Sequence, residues 1–198
     1  YSKQLRVESL ELRGVDLHGK IDGYFNQVKN KIVAIPKGNS QYRWQMMNLG
    51  YVEIRGVDVN ASVTCHLSPV TFSVSGVYTY QKAQDKTNPN NPLTYGGQIA
   101  YTPWHSASAM ANLGWKGLSV NYCFNYVGTR YTSSANTLAN QVPAWLMHDL
   151  SLGYLWNLPV GKLRTTVEIN NIANYQYEIV KNYPMPGLNG KLIIQYSF

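Results

Sequence analysis

The chain has 198 residues, of which 44% are hydrophobic and 14% are charged, and its formal net charge is +7. This aromatic-rich, weakly charged composition excludes an intrinsically disordered chain, which needs high charge and few aromatic residues. The 17 Lys and Arg residues are scattered instead of clustered, so no nucleic-acid partner is predicted. No run of about 18 apolar residues is present, which excludes a transmembrane helix.

Apolar residues recur at every second position through most of the sequence, which predicts half-buried β-strands. The segment 118–126 is typical, because Leu, Val, Tyr, Phe and Tyr alternate there with Ser, Asn, Cys and Asn. In chain order the predicted strands cover 6–18, 20–35, 45–66, 69–83, 103–115, 118–131, 143–157, 161–173 and 188–198. The sequence therefore predicts an all-β, antiparallel fold of about nine strands.

The predicted connections alternate between short turns and long loops. The short turns lie at 18–20, 66–69, 116–117 and 157–161, and the long loops lie at 36–44, 84–102, 132–142 and 174–187. Transmembrane β-barrels have short periplasmic turns and long extracellular loops. The alternation therefore favours an antiparallel transmembrane β-barrel that is embedded in a lipid bilayer.

The composition of the two strand faces supports the same interpretation. Positions opposite the apolar set carry mostly small polar residues, such as Asn60, Ser62, Asn121 and Asn125, as expected of a barrel lumen. A soluble ligand-binding β-barrel, the alternative, would show Lys and Glu on the face opposite its core. Two aromatic girdles are predicted from the rings near strand ends: Tyr80, Trp104, Trp115, Tyr126, Tyr131, Trp156, Tyr175, Tyr177 and Tyr196.

The parity of the strands predicts that the barrel is larger than this chain. With short turns on the periplasmic side, the last of nine strands runs downward, and so does the first. Bacterial barrels have an even strand number and cannot leave an unpaired edge in lipid. Residues 1–198 are therefore predicted to be one domain segment, the C-terminal part of a barrel. One misread strand would instead give a small structural or adhesive barrel of eight strands.

Four stretches resemble motifs of TonB-dependent outer-membrane receptors. Leu5-Arg-Val-Glu8 resembles a Leu-x-Pro-Glu strand opening, with Val7 in place of the proline, and 48–58 resembles a segment that leads into a downward strand. Asn171-Ile-Ala-Asn174-Tyr-Gln-Tyr177 resembles the Asn-Leu-Phe-Asp-x-x-Tyr signature near the last strands. Tyr183-Pro-Met-Pro-Gly187 followed by a terminal Phe resembles the final loop and strand, with Leu188 where Arg is common.

The resemblance implies a barrel of 22 strands in the outer membrane of a Gram-negative bacterium. An N-terminal plug, the remaining barrel strands and the TonB complex would be its protein partners. Such a receptor captures a scarce small-molecule nutrient and imports it with TonB-coupled energy. Cobalamin, haem, a siderophore or a glycan are the candidate nutrients, and overall resemblance favours a cobalamin-receptor-like, Bacteroides-type member.

Ligand capture is expected in the long loops, where aromatic and Arg side chains offer contact area and directed hydrogen bonds. The alternative for each of these side chains is packing within a girdle or a loop. The candidates are Tyr42, Arg43 and Trp44 in the first loop, Tyr95 in the second, and Arg130 and Tyr131 in the third.

The last strand carries a second predicted function. Leu192, Ile194, Tyr196 and Phe198 share its lipid-facing side. In the family, this alternation with a terminal aromatic residue resembles the signal that the barrel-assembly machinery recognises.

No catalytic or metal site is predicted. The four histidines do not share a metal-ligand spacing, and His148 and Asp149 are strand neighbours whose side chains point to opposite faces. The nucleophile motif GxSxG is absent from the sequence. We therefore expect a protein that is not an enzyme and needs no cofactor.

Overall fold

The computed structural model describes residues 2–12, 14–36 and 44–198, and it describes side chains in 14–35 and 44–198. The strands are β1 Ser2–Leu12, β2 Val15–Pro36, β3 Trp44–Leu67, β4 Val70–Asp85, β5 His105–Trp115, β6 Leu118–Val127, β7 Arg130–Tyr131, β8 Gln141–Val142, β9 Trp145–Asn157, β10 Lys162–Asn170, β11 Glu178–Val180, β12 Tyr183–Pro184 and β13 Asn189–Ser197. A single 3₁₀ turn, Leu138–Asn140, accompanies them in the described part of the chain. Within these described ranges, no helix is long and apolar enough to span a membrane.

Nine strands form one antiparallel sheet in the order β1-β2-β3-β4-β5-β6-β9-β10-β13. Each sheet strand pairs with the next one along the chain, so the predicted all-β, antiparallel, nine-stranded arrangement is confirmed. The sheet ends at β1 and β13 without closing. A closed barrel would therefore need further strands between these two edges.

The predicted first turn at His18-Gly19-Lys20 is wrong. The turn includes Gly14 instead, whose φ of +86° favours glycine, and β2 already begins at Val15. His18 and Lys20 lie within β2, opposite Ser62 and Asn60 of β3. The predicted strand 6–18 therefore runs too far: the apolar positions change phase between Leu12 and Val15, at the real turn, and keep one phase from Leu17 to Ile21, across the predicted one.

One rim of the sheet carries the short turns and the other carries the long loops; we call them the short-turn rim and the long-loop rim. Strands β2 and β3, with 22 and 24 residues, extend well beyond the others toward the long-loop rim. At about 3.3 Å per residue, β3 is several times longer than a strand of ordinary length. The buried cluster of Leu49, Val52, Ile54, Ala83 and Ile99 lies near this rim and takes its residues from β3, β4 and the loop that follows β4.

The sheet has one apolar face and one polar face, as the alternation predicts. The paired positions Val167, Leu152 and Leu192 on three neighbouring strands share the apolar face and are 44%, 49% and 62% exposed. Such a continuous exposed apolar surface needs a partner that removes it from water. Lipid is the partner that the strand pattern predicts.

Two histidines lie on the apolar face near the long-loop rim, and each has a tyrosine partner. Tyr78 Oη lies 2.8 Å from His105 Nδ1, and Tyr122 Oη lies 2.5 Å from His148 Nδ1. The pair with Tyr122 explains how His148 can lie at a position where the sequence pattern predicts an apolar residue. The hydroxyl satisfies a ring nitrogen that would otherwise have no partner in an apolar environment.

Candidate functional site

The long-loop rim holds three described loops, which we call the second loop (86–104), the third loop (128–144) and the fourth loop (171–188). Most of the first loop, residues 37–43, lies outside the described residues. The three described loops are joined by side-chain to backbone hydrogen bonds, and each contributes polar side chains to the buried part of the rim. They therefore form one candidate site.

The second loop continues the sheet beside the upper end of β4. Asp85 N donates to Gly97 O at 2.9 Å, Gly96 N donates to Asp85 O at 2.6 Å, and Ile99 N donates to Ala83 O at 3.3 Å. Ile99 is fully buried in the cluster on β3 and β4. This pairing fixes the base of the loop and leaves Tyr95 exposed, with Lys86 Nζ 4.6 Å from its ring centroid.

Gln98 and Asn136 join the second loop to the third. Gln98 N donates to Asn136 Oδ1 at 2.6 Å, and Asn136 Nδ2 donates back to Gln98 O at 3.1 Å. The buried amide of Gln98 also donates to Thr102 O at 2.6 Å and to Thr129 O at 2.9 Å. Gly97 allows this close approach, because a Cβ there would overlap Ser134 O.

Arg130 joins the third loop to the fourth. Its guanidinium donates from Nη1 to Ile179 O and from Nη2 to Glu178 O, both at 2.9 Å, and the residue is 4% exposed. Burial lowers the pKa of this guanidinium, and the nearby Tyr101 phenol acts in the opposite direction. Lys181 Nζ also donates to Ala139 O across the same joint.

Asn171 organises the fourth loop from its centre. It is 1% exposed and adopts a φ of +52°, which Asn tolerates better than most residues. Its Nδ2 donates to Tyr175 O at 2.9 Å and to Pro186 O at 3.3 Å, while its Oδ1 accepts from Tyr175 N at 2.8 Å. Asp149 Oδ1 accepts from the Asn171 backbone N–H at 2.8 Å and ties the loop to β9.

Asn174, the second asparagine of the same motif, holds the end of the loop. Its Oδ1 accepts from Leu188 N at 2.9 Å, and a Cβ on Gly187 would lie only 2.5 Å from that oxygen. The motif that sequence reasoning quoted as a family signature is therefore a hydrogen-bonding unit that shapes the fourth loop. The spacing of this motif was the sequence feature that could identify Asn171 and Asn174.

A cleft of about 310 Å³ opens between the third and fourth loops. Pro143 and Ala144 line one side of it, and Tyr175, Tyr177 and Glu178 line the other. Burial, and secondarily the negative charge of Asp149, raise the pKa of the Tyr177 phenol. The cleft thus offers aromatic faces and one carboxylate.

The residues predicted to capture the ligand differ in their exposure and contacts. Tyr42 and Arg43 lie outside the described residues. Trp44 is 53% exposed with its ring centroid 6.1 Å from that of Tyr101, and Tyr95 is 41% exposed. Arg130 is buried at the joint described above, and Tyr131 is half-buried with its carbonyl accepting from Tyr101 N at 2.8 Å.

Sequence reasoning did not single out Tyr101, which lies at the centre of the rim. Burial is the main effect and raises the pKa of its phenol, while the nearby Lys181 backbone and the charge of Arg130 act in the opposite direction. The negative charge of Glu178 raises the pKa in turn, and among the described residues the buried Tyr101 Oη has no hydrogen-bond partner. Its environment could not be predicted from the sequence, because the charged groups around it come from the third and fourth loops. Among the described residues, no group of three or more His, Cys, Asp or Glu side chains could hold a metal ion.

Three residues of the predicted assembly signal share one face of β13, and the fourth, Phe198, follows directly after the strand ends at Ser197. Leu192, Ile194, Tyr196 and Phe198 are 62%, 63%, 51% and 103% exposed. Tyr196 Oη donates to Val160 O at 2.7 Å, which ties the strand to the last short turn. Recognition of this face by an assembly machinery stays a prediction.

Comparison with known protein families gives a match over most of the chain. The sequence model described as "TonB dependent receptor-like, beta-barrel" matches residues 2–172. No curated protein sequence matches the chain.

Comparison with solved structures gives the same fold. The ferric-catecholate import receptor Fiu from E. coli K12 superimposes with a TM-score of 0.64 at 19% identity, over 92% of this chain and 25% of Fiu. The siderophore receptor PiuA from Acinetobacter baumannii gives 0.64 at 18% identity, over 91% of this chain and 26% of PiuA. The iron transporter FrpB from Neisseria meningitidis gives 0.55 at 17% identity, over 93% and 29%. The chain thus spans about a quarter of the length of the structures that it matches.

Proposed function

Because this chain belongs to the TonB-dependent receptor-like β-barrel family, we propose that it forms part of the wall of an outer-membrane receptor in a Gram-negative bacterium. The receptor captures a scarce nutrient at the long-loop rim and imports it with energy from the TonB complex. The observation that carries this proposal is the open nine-stranded sheet with an exposed apolar face and three interlocked long loops on one rim.

The proposed receptor needs partners beyond residues 1–198. Further strands complete a 22-stranded barrel between the edges β1 and β13, because unpaired backbone groups are too costly in lipid. An N-terminal plug fills the lumen against polar positions such as Asn60, Asn121 and Asn125, and it connects the barrel to TonB. The barrel-assembly machinery recognises the apolar face of β13 together with Phe198.

The nutrient is proposed from two sources. Fiu and PiuA are described as receptors for ferric catecholates and siderophores, which makes a ferric siderophore one ligand to test first. The sequence resemblance makes cobalamin the other, with haem and glycans as further candidates. The exposed rings of Trp44 and Tyr95 and the cleft beside Tyr175 would supply the contact surface for any of these bulky ligands.

Two other functions fit the structure less well. A soluble ligand-binding β-barrel would bury the face that holds Leu152 and Leu192, and both residues are exposed here. A small adhesive barrel of eight strands would use an even number, whereas the sheet has nine.

An uptake assay tests the proposed function. In a strain whose only outer-membrane receptor of this kind is the complete protein, growth on a limiting ferric catecholate, haem or cobalamin should depend on both the receptor and TonB. The double variant Trp44→Ala with Tyr95→Ala should lower uptake about tenfold or more, because exposed aromatic residues at a contact centre typically contribute 1 kcal/mol or more each.

Trp156→Ala is the matched control, because this ring is 49% exposed at the short-turn rim, away from the loops. Its uptake should remain within about twofold of the parent. If none of these nutrients requires the receptor, or if loss of TonB leaves uptake unchanged, the proposed function is wrong.

A further inference from the structure

Two basic residues face each other across β3 and β4 on the outer, apolar side of the wall. Arg55 is the direct cross-strand partner of Lys82. The next pair on the same side is Val57 with Tyr80, since side chains two residues apart share a face. Val52 and Ile54, on the opposite side of β3, are buried in the core cluster. The two cations therefore point away from the lumen.

No anion within the described residues neutralises this pair. The ion pairs that the described part of the chain forms are Lys20 with Asp22 and His66 with Asp16. The nearest acidic residue on the same face is Glu53, two residues from Arg55 along β3. It forms no ion pair with Arg55. Like charges directly opposite in a sheet destabilise the strand pair. An external anion would remove this cost.

The height of the pair on the wall indicates the source of that anion. From the short-turn rim upward, the outer face of β3 and β4 carries aliphatic pairs such as Val63 with Val74. Tyr78 and Tyr80 follow, beside His105 of β5. Arg55 and Lys82 come one step above Tyr80. Aliphatic, aromatic and then cationic side chains match the order of acyl chains, interface and headgroups in a bilayer leaflet.

Trp104 completes the site. Lys82 Nζ lies 5.0 Å from the centroid of the Trp104 ring. This cation–π contact holds the ammonium group near Tyr80 and His105 without neutralising its charge. Arg55 is exposed, and its planar guanidinium can bind a phosphate through two parallel hydrogen bonds. Together the two side chains offer a planar guanidinium and an ammonium group to one phosphate group.

We propose that Arg55, Lys82 and Trp104 bind the phosphorylated headgroup of a glycolipid in the outer leaflet of the membrane. The proposal rests on the membrane orientation given under the proposed function, with the long-loop rim outside. It does not depend on which nutrient the receptor captures. The bound lipid would anchor the wall at the base of the second loop, which begins directly after β4.

The test uses the complete receptor, purified in detergent, freed of bound lipid and then exposed to bis-phosphorylated lipid A. Native mass spectrometry counts the lipid molecules bound to each barrel. The double variant Arg55→Gln with Lys82→Gln should bind lipid A about tenfold or more weakly, since two charge-assisted contacts are lost. Lipid A without phosphates should bind the parent receptor as weakly as lipid A binds the double variant.

Lys116→Gln is the matched control, because it removes one positive charge at the exposed turn between β5 and β6 on the opposite rim. It should leave binding of lipid A unchanged. If the double variant assembles poorly, Arg55→Lys is measured as well. It keeps the charge and should retain most of the binding. Equal binding of lipid A by the parent and the double variant would overturn the proposal, and so would equal binding of the dephosphorylated lipid. Nutrient uptake measured on the same variants separates this result from a failure of the proposed function.

Discussion

Replacement of Asn171 by alanine is expected to open the fourth loop while leaving the nine-stranded sheet folded. The substitution removes a side-chain amide that donates to Tyr175 O and Pro186 O and accepts from Tyr175 N. Asn171 is only 1% exposed. A buried backbone group that loses its partner costs about 1–3 kcal/mol. Alanine also tolerates the φ of +52° less well than asparagine. We expect the local stability of the loop to fall by about 3–5 kcal/mol.

Amide hydrogen exchange across residues 171–188 of the complete receptor measures this effect. Asn182→Ala is the control, because Asn182 has a similar φ of +66° but an exposed side chain. The control should change protection by less than about 1 kcal/mol, and the difference between the variants isolates the contribution of the buried amide. Equal protection in both variants would show that Asn171 does not organise the loop.

Replacement of Arg130 by alanine is expected to separate the third loop from the fourth. The carbonyls of Glu178 and Ile179 would lose their donors, and a cavity would form where the guanidinium is now buried. The removal of a charge from a buried site partly offsets this loss. We expect a net loss of about 2–4 kcal/mol in the contact between the two loops. Ligand uptake should fall as well, because the cleft between these loops has walls from both.

Lys86→Ala is the control for Arg130→Ala, since it also removes one positive charge from the long-loop rim. Lys86 is half-exposed and contacts Tyr95 through its ammonium group, so its loss should change loop protection by less than about 1 kcal/mol. The measurement is hydrogen exchange of both loops together with their rate of limited proteolysis. Unchanged protection of 128–144 and 171–188 in Arg130→Ala would contradict the proposed role of this residue.

The wall could be predicted from the sequence because side-chain alternation is a local property. Each residue of a strand takes one of two faces, and the polar and apolar sets here differ clearly. The first turn was misplaced at Gly19, although the apolar alternation keeps its phase from Leu17 to Ile21 and changes phase between Leu12 and Val15, around Gly14. That phase change was the available signal in the sequence, and the φ of +86° at Gly14 agrees with it.

The organisation of the loops could not be predicted because it depends on contacts between distant residues. Gln98 and Asn136 are 38 positions apart, and Arg130 reaches carbonyls 48 and 49 positions away. Their residue types suit both an exposed ligand contact and a buried hydrogen bond. Burial decides between these roles, and burial follows from tertiary packing. Asn171 and Asn174 were noticed only because they belong to a recognisable motif.

The accessibility of single cysteines in whole cells tests the central claim, a barrel wall with its long loops outside. In the complete receptor with every native cysteine replaced by Ser, Cys65 and Cys123 among them, one variant carries Asn90→Cys in the second loop. The other carries Lys116→Cys in the turn between β5 and β6. Both positions are exposed in the structure. A membrane-impermeant maleimide should label intact cells only through position 90, and position 116 only after the outer membrane is opened. Labelling of position 116 in intact cells, or protection of position 90, would contradict this account.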